Sequence, residues 1–222
     1  HTNRLFGNAY AEFTPKLNWS DRYHLVFREQ VGMDMYTTNN ATIAEIGSAY
    51  NKKGEVENYG VQENIFNNLI TANFTAKWGT DREWDFGFVL GNEFNHEYRR
   101  IWDYDGSGLA FYGQPTIGNT SSMDLHKEYH QQERTVGTFG QLSLSWKDML
   151  YLTVTGRNDK VSSMPRGHRS FFYPSVSLGW IFTELPALKE NKTLSYGKLR
   201  LSYAQVGQAG HFYNNYMYVP VY

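Results

Sequence analysis

Seven segments of this chain alternate apolar and polar residues over ten or so positions, and three of them end in a Trp followed closely by an Asp-containing turn. The clearest sets Tyr23, Leu25, Phe27, Glu29, Val31, Met33 and Met35 against His24, Val26, Arg28, Gln30, Gly32 and Asp34. Side chains of a strand point to opposite sides with a period of two, so one side of this segment meets an apolar medium and the other a polar one. The pattern predicts strands at 8–18, 23–36, 64–78, 83–102, 129–146, 150–158, 171–182 and 197–206, with room for a ninth near 212–221. Their apolar faces include Leu17, Phe27, Phe74, Phe88, Leu144, Val154, Val176 and Leu201.

Alternation by itself is equally expected of a soluble sandwich or a lipocalin, whose apolar faces point inward. Three further features point to lipid as the apolar medium. Short turns at Trp19–Arg22, Gly79–Arg82 and Lys147–Met149 alternate with long polar links at 37–63, 103–128 and 159–170, the asymmetry of outer-membrane barrels. Trp19, Trp78, Trp84 and Trp146 border the short turns and Trp180 lies toward the same end of its strand. An indole has an apolar body and one N–H donor, so such a row reads as a girdle at the membrane–water interface. Strands of about thirteen residues, at about 3.3 Å each and tilted about 40°, project to roughly 33 Å, enough to cross a bilayer core. The expected fold is therefore all-β, with antiparallel transmembrane barrel strands. Pro15 and Pro174 fall inside predicted strands, where each should mark a bulge, an edge or a strand end.

Composition narrows the function classes. The 222 residues contain no cysteine, which rules out disulfides and thiolate metal sites. With 21 basic and 22 acidic residues there is no electrostatic footprint for nucleic acid. Aromatics make up 17% of the chain and mean hydropathy is -0.58; no apolar run is long enough for a spanning helix, so any crossing is made by strands.

Candidate chemistry is sparse, and no cofactor or metal is expected. His126 and His130 are spaced four apart but sit at a loop-to-strand junction without the Glu of a zinc protease. Asp103-Tyr-Asp105-Gly106-Ser107-Gly opens like a calcium loop, yet its Gly comes two residues early and Gln114 stands where a bidentate Glu belongs. Ser162 and Ser163 have no local base. Arg28, Glu93, Glu97, Arg99 and Glu133 read as a hydrated wall facing a lumen. The stretch 102–114, with Trp102, Tyr104, Phe111, Tyr112 and Gln114, is the candidate substrate-contact loop, because flat aromatic faces beside amides can stack on sugar rings; self-packing of the loop is an equal alternative.

From residue 151 onward the chain resembles the SusC/RagA family of TonB-dependent outer-membrane transporters of Bacteroidetes. The resemblance is carried by Tyr151-Leu-Thr-Val-Thr-Gly-Arg157-Asn158-Asp159, by Phe171-Phe-Tyr173-Pro174-Ser175-Val-Ser-Leu-Gly179-Trp180, and by Leu194-Ser-Tyr196-Gly197-Lys198-Leu-Arg200-Leu-Ser202-Tyr203-Ala-Gln205-Val206-Gly207. It implies a barrel of about 22 strands, of which 1–222 is a partial section, with the plug and the TonB-contacting segment outside this chain. It also implies a SusD-like surface lipoprotein partner, contact with TonB through the plug, and import of oligosaccharides or peptides without bond chemistry. Two rivals remain open at this point: an outer-membrane barrel enzyme such as a protease or lipase, and a small closed eight-stranded barrel for anchoring or adhesion.

Overall fold

The computed structural model describes residues 1–16, 21–81, 83–165, 167–189 and 193–207, and the side chains of 124–127 lie outside that description. Its strands are β1 (Thr2–Phe13), β2 (Tyr23–Ala44), β3 (Glu55–Trp78), β4 (Trp84–Leu109), β5 (Thr120–Trp146), β6 (Leu150–Val161), β7 (Ser170–Ile181) and β8 (Lys198–Ala204), with short 3-10 turns at Ile117–Asn119 and Phe182–Glu184. They form one sheet in chain order from β1 to β8. Antiparallel neighbours joined by tight connections give this order directly. In the β5–β6 hairpin Lys147 and Asp148 both take φ of 52°, the left-handed turn whose twist matches the flanking strands.

The strands are longer than the alternation predicts. β2 continues to Ala44 and β3 starts at Glu55, so the link expected at 37–63 shrinks to 45–54; β4 runs to Leu109 and β5 starts at Thr120, so the link at 103–128 shrinks to 110–119. These extensions carry no regular alternation: Thr37-Thr-Asn-Asn is polar on both faces, and their few apolar residues, among them Val56, Val61 and Leu109, are scattered. Ladder hydrogen bonds form without a period-two signal, because that signal arises only where one face meets an apolar medium. β1 is displaced toward the N-terminus of its expected span and ends before Pro15; Leu17, Trp19 and the stretch 212–221 lie outside the described residues. Pro174 stays within β7, and its carbonyl accepts from Gln205 N–H at 3.0 Å. A strand residue's N–H and C=O point the same way, so the donor that proline lacks faces the end of the β7–β8 ladder, where it costs least.

The described chain falls into two compact units, one comprising His1–Asn8, Gly32–Phe66 and His96–Glu133, the other Ala9–Val31, Asn67–Asn95 and Arg134–Tyr222. In the second unit the pairing of β5 to β8 sorts the side chains cleanly. Trp146, Leu150, Trp180 and Leu199 are opposed in one row; Leu144, Leu152, Leu178 and Leu201 form another, and Leu142, Val154, Val176 and Tyr203 a third. The intervening rows are Ser145, Tyr151, Gly179, Arg200 and Ser143, Thr153, Ser177, Ser202. Directly opposed residues share a side, so one side is apolar throughout and the other hydroxylated.

The apolar side is not covered by protein. Phe27, Phe88, Leu90, Val154, Val176 and Leu178 are between 40% and 49% exposed, and Phe74 and Leu144 are only half-buried. The buried apolar residues among those described are Val56, Val61, Ala76, Ile101, Leu109 and Val161, none of them aromatic. A soluble sandwich would place its large side chains inside. Here they form a continuous outward sheet of the kind that lipid solvates.

Candidate functional site

Along one end of the second unit the apolar side carries an aromatic ladder. Trp78 stacks on Trp84 with ring centroids 6.5 Å apart, Trp84 meets Trp146 at 5.9 Å, and Phe86 joins Trp78 at 5.6 Å and Phe74 at 6.0 Å. Trp180 packs edge-on against Phe182 and shares the row of Trp146 through Leu150. The structure thus brings Trp78, Trp84, Trp146 and Trp180 to one end, while Trp19 is outside the described residues.

The polar side of the same unit is organised around Arg157 of β6. Its Nη2 donates to Glu93 of β4 at 2.7 Å, its Nε donates to Asp159 at 2.8 Å, and the guanidinium lies 5.8 Å from the Phe139 ring of β5. Gly137 and Gly91 make room for it: a Cβ on Gly137 would come within 2.5 Å of Arg157, and one on Gly91 within 2.3 Å of Phe139. Arg28 lies 4.4 Å over the Tyr10 ring, 3.9 Å from Glu12, and donates to Gln30 at 3.3 Å. Nearer the short turns a hollow of about 670 Å³ is lined by His24, Lys77, Asp85, Ser143, Ser145 and Tyr151, with Lys77 paired to Asp85 at 3.1 Å. Both the Arg157 node and this hollow escape sequence reading, since their members are scattered over several strands; the only local trace is Arg157 two residues before Asp159.

In the first unit, Arg4 grips Asp34 through Nε and Nη2 at 2.9 and 2.6 Å, and Tyr36 donates its hydroxyl to Glu63. Glu97 stands near Glu63, Glu133 and Arg99. Alternation along β4 puts Arg100, Trp102 and Tyr104 on the face opposite Glu97 and Arg99. There Arg100 Nη2 donates to Glu128 at 2.6 Å, the Tyr104 hydroxyl donates to the same carboxylate at 2.9 Å, and the Trp102 ring lies over Gly60, where no Cβ could fit.

The expected aromatic loop is therefore divided. Trp102 and Tyr104 are strand residues of β4, and Phe111, Tyr112 and Gln114 belong to the connection 110–119. Phe111 and Tyr112 are 69% and 76% exposed. Asn119 Nδ2 donates to the carbonyls of Phe111 and Gln114, both at 2.8 Å, and so shapes that connection. Asp103 to Gly108 also lie within β4, where an extended backbone cannot curl around a cation; Gly106 is needed because a Cβ would come within 2.6 Å of Thr120 on β5. The Ser162 hydroxyl accepts from Arg134 N–H at 2.8 Å while Ser162 N–H donates to Arg134 O at 2.8 Å, so this serine prolongs the β5–β6 ladder. The side chain of His126 lies outside the described residues.

Comparison with known proteins agrees with this architecture. The family model "TonB dependent receptor-like, beta-barrel" matches residues 1–221. The TonB-dependent receptor SusC of Bacteroides thetaiotaomicron is 30% identical over 138 residues, which is 62% of this chain and 13% of SusC. The TonB-dependent receptor P26 of Formosa agariphila is 35% identical over 69 residues, 31% of this chain and 7% of P26. Among solved structures, the RagAB peptide importer in its closed-closed state superposes with a TM-score of 0.69 at 18% identity, covering 91% of this chain and 22% of that one. At that identity the likeness concerns the fold.

Proposed function

This chain belongs to the TonB-dependent receptor β-barrel family, is of the SusC/RagA type and resides in the Gram-negative outer membrane, and from that premise we propose that it supplies barrel wall and external connections to an energised nutrient importer. Lipid solvates the apolar side, each covered aliphatic or aromatic side chain contributing about 1.5–3 kcal/mol. Arg28, Glu93 and Arg157 in one unit, and Glu97, Arg99 and Glu133 in the other, border a wet lumen. The extensions of β2 to β5 and the connections 45–54 and 110–119 stand outside the hydrocarbon. Phe111, Tyr112 and Gln114 meet substrate or a SusD-like lipoprotein at the outer mouth. TonB acts through the plug of such an importer, and the cargo is an oligosaccharide or a peptide.

One observation carries this reading: rows of Leu, Val and Trp alternate with rows of Ser and Thr across β5 to β8. The test has two parts, both on the full-length protein in cells. Single cysteines at Ser143 and Ser177 should react with a water-soluble thiol reagent, and those at Leu144 and Leu178 should not. Uptake of labelled oligosaccharides or peptides should require the protein and vanish without TonB; uptake indifferent to TonB refutes the importer.

The two rivals find less support. Among the described residues β1 and β8 each pair on one side only, which does not favour a closed eight-stranded barrel. The relatives matched are receptors, and the Ser162 hydroxyl is engaged in the ladder.

A further inference from the structure

Within the first unit, Asn39, Asn40, Asn58, Tyr59, Trp102 and Tyr104, together with His1, whose ammonium donates to the Asn39 carbonyl at 2.7 Å, surround a groove of about 730 Å³, inside the range of roughly 300–1,000 Å³ usual for small-molecule sites. The charge beside it is already matched. Arg100 donates to Glu128 and lies 5.4 Å over the Trp102 ring, and Tyr104 donates to that same carboxylate. What the groove offers is amide groups, which both donate and accept, next to flat ring faces. Such a lining suits an uncharged, hydroxyl-rich ring.

The face on which the groove opens identifies the source of that ring. Trp102 and Tyr104 lie opposite Glu97 and Arg99 on β4, so if the acidic set borders the lumen, as proposed above, the groove opens to the outside of the wall. Beyond the hydrocarbon of an outer membrane, that space is filled by the sugar chains of outer-leaflet glycolipids. We propose that this groove binds a neutral saccharide unit of an outer-leaflet glycolipid rather than cargo in transit. Trp102 and Tyr104 then anchor the wall in the sugar layer. This inference rests on the lumenal assignment of Glu97, Arg99 and Glu133.

The experiment places a photo-crosslinking benzoylphenylalanine at Tyr104 or at Glu97 of the full-length protein in its native membrane, with biotinylated maltoheptaose as the soluble probe. The position 104 derivative should yield a ladder of lipopolysaccharide adducts and no biotin, and the ladder should be lost when Asn58→Leu or Trp102→Ala is added. Heat-shifted electrophoretic mobility confirms that each variant is folded, and Asn58→Leu spares the ring stack should Trp102→Ala fail that check. Capture of maltoheptaose at 104, or of neither ligand, overturns the glycolipid site. Lipopolysaccharide adducts from position 97 instead of 104 overturn the lumenal assignment itself, so the two failures are distinguishable.

Discussion

Replacing Val154 by arginine sets a charge on the apolar side of β6, and replacing its neighbour Thr153 sets the same charge on the other. Val154 is opposed to Leu142 and Val176, and lies four residues beyond Leu150, which faces Trp146 and Trp180. That interval is about 13 Å along the strand and about 10 Å along the membrane normal at a tilt of about 40°. The site is therefore close to the middle of an apolar band about 25 Å tall, where arginine costs about 2–4 kcal/mol. Thr153 is opposed to Ser143 and Ser177 and borders the wet hollow near the short turns, so its arginine has water and room, and the expected cost is within about 0.5 kcal/mol. Since about 1.4 kcal/mol is a factor of ten in an equilibrium constant, the two variants should differ by at least about tenfold in folding. The assay is reversible folding of the full-length protein into lipid vesicles across a guanidinium series, read by the heat-dependent gel shift. Equal costs, or a larger cost for Thr153→Arg, would refute the assignment of faces on which the importer reading depends.

Arg157→Met removes a cation that holds Glu93 and Asp159, and should destabilise by about 1–2 kcal/mol, reduced from a buried pair because the arginine is partly open to water; adding Glu93→Gln should recover part of that loss in the same folding assay, and strict additivity would dissolve the proposed coupling. Lys147 and Asp148 both have φ of 52°, so the double change to Asn-Gly should stabilise the β5–β6 hairpin by about 1 kcal/mol, visible as slower unfolding; no change would show the turn to be unstrained.

The residues near the short turns wrote their own structure into the sequence. Where β5 to β8 border lipid on one side, every second residue had to be apolar, so the faces, the strand type and the row of Trp146 and Trp180 were legible without coordinates. Pro15 likewise announced the end of β1, and Pro174, inside β7, the end of the β7–β8 ladder, by the donor each lacks. The long extensions of β2 to β5 left no such trace, because a strand polar on both faces is held by backbone hydrogen bonds and has the composition of a loop. Tertiary pairing alone decided that Thr37-Thr-Asn-Asn is strand and that Arg157 reaches Glu93 across a gap opened by Gly137. Local chemistry fixes which medium each side of a strand prefers; the partners across the ladder are set by register, which emerges only when the strands are assembled.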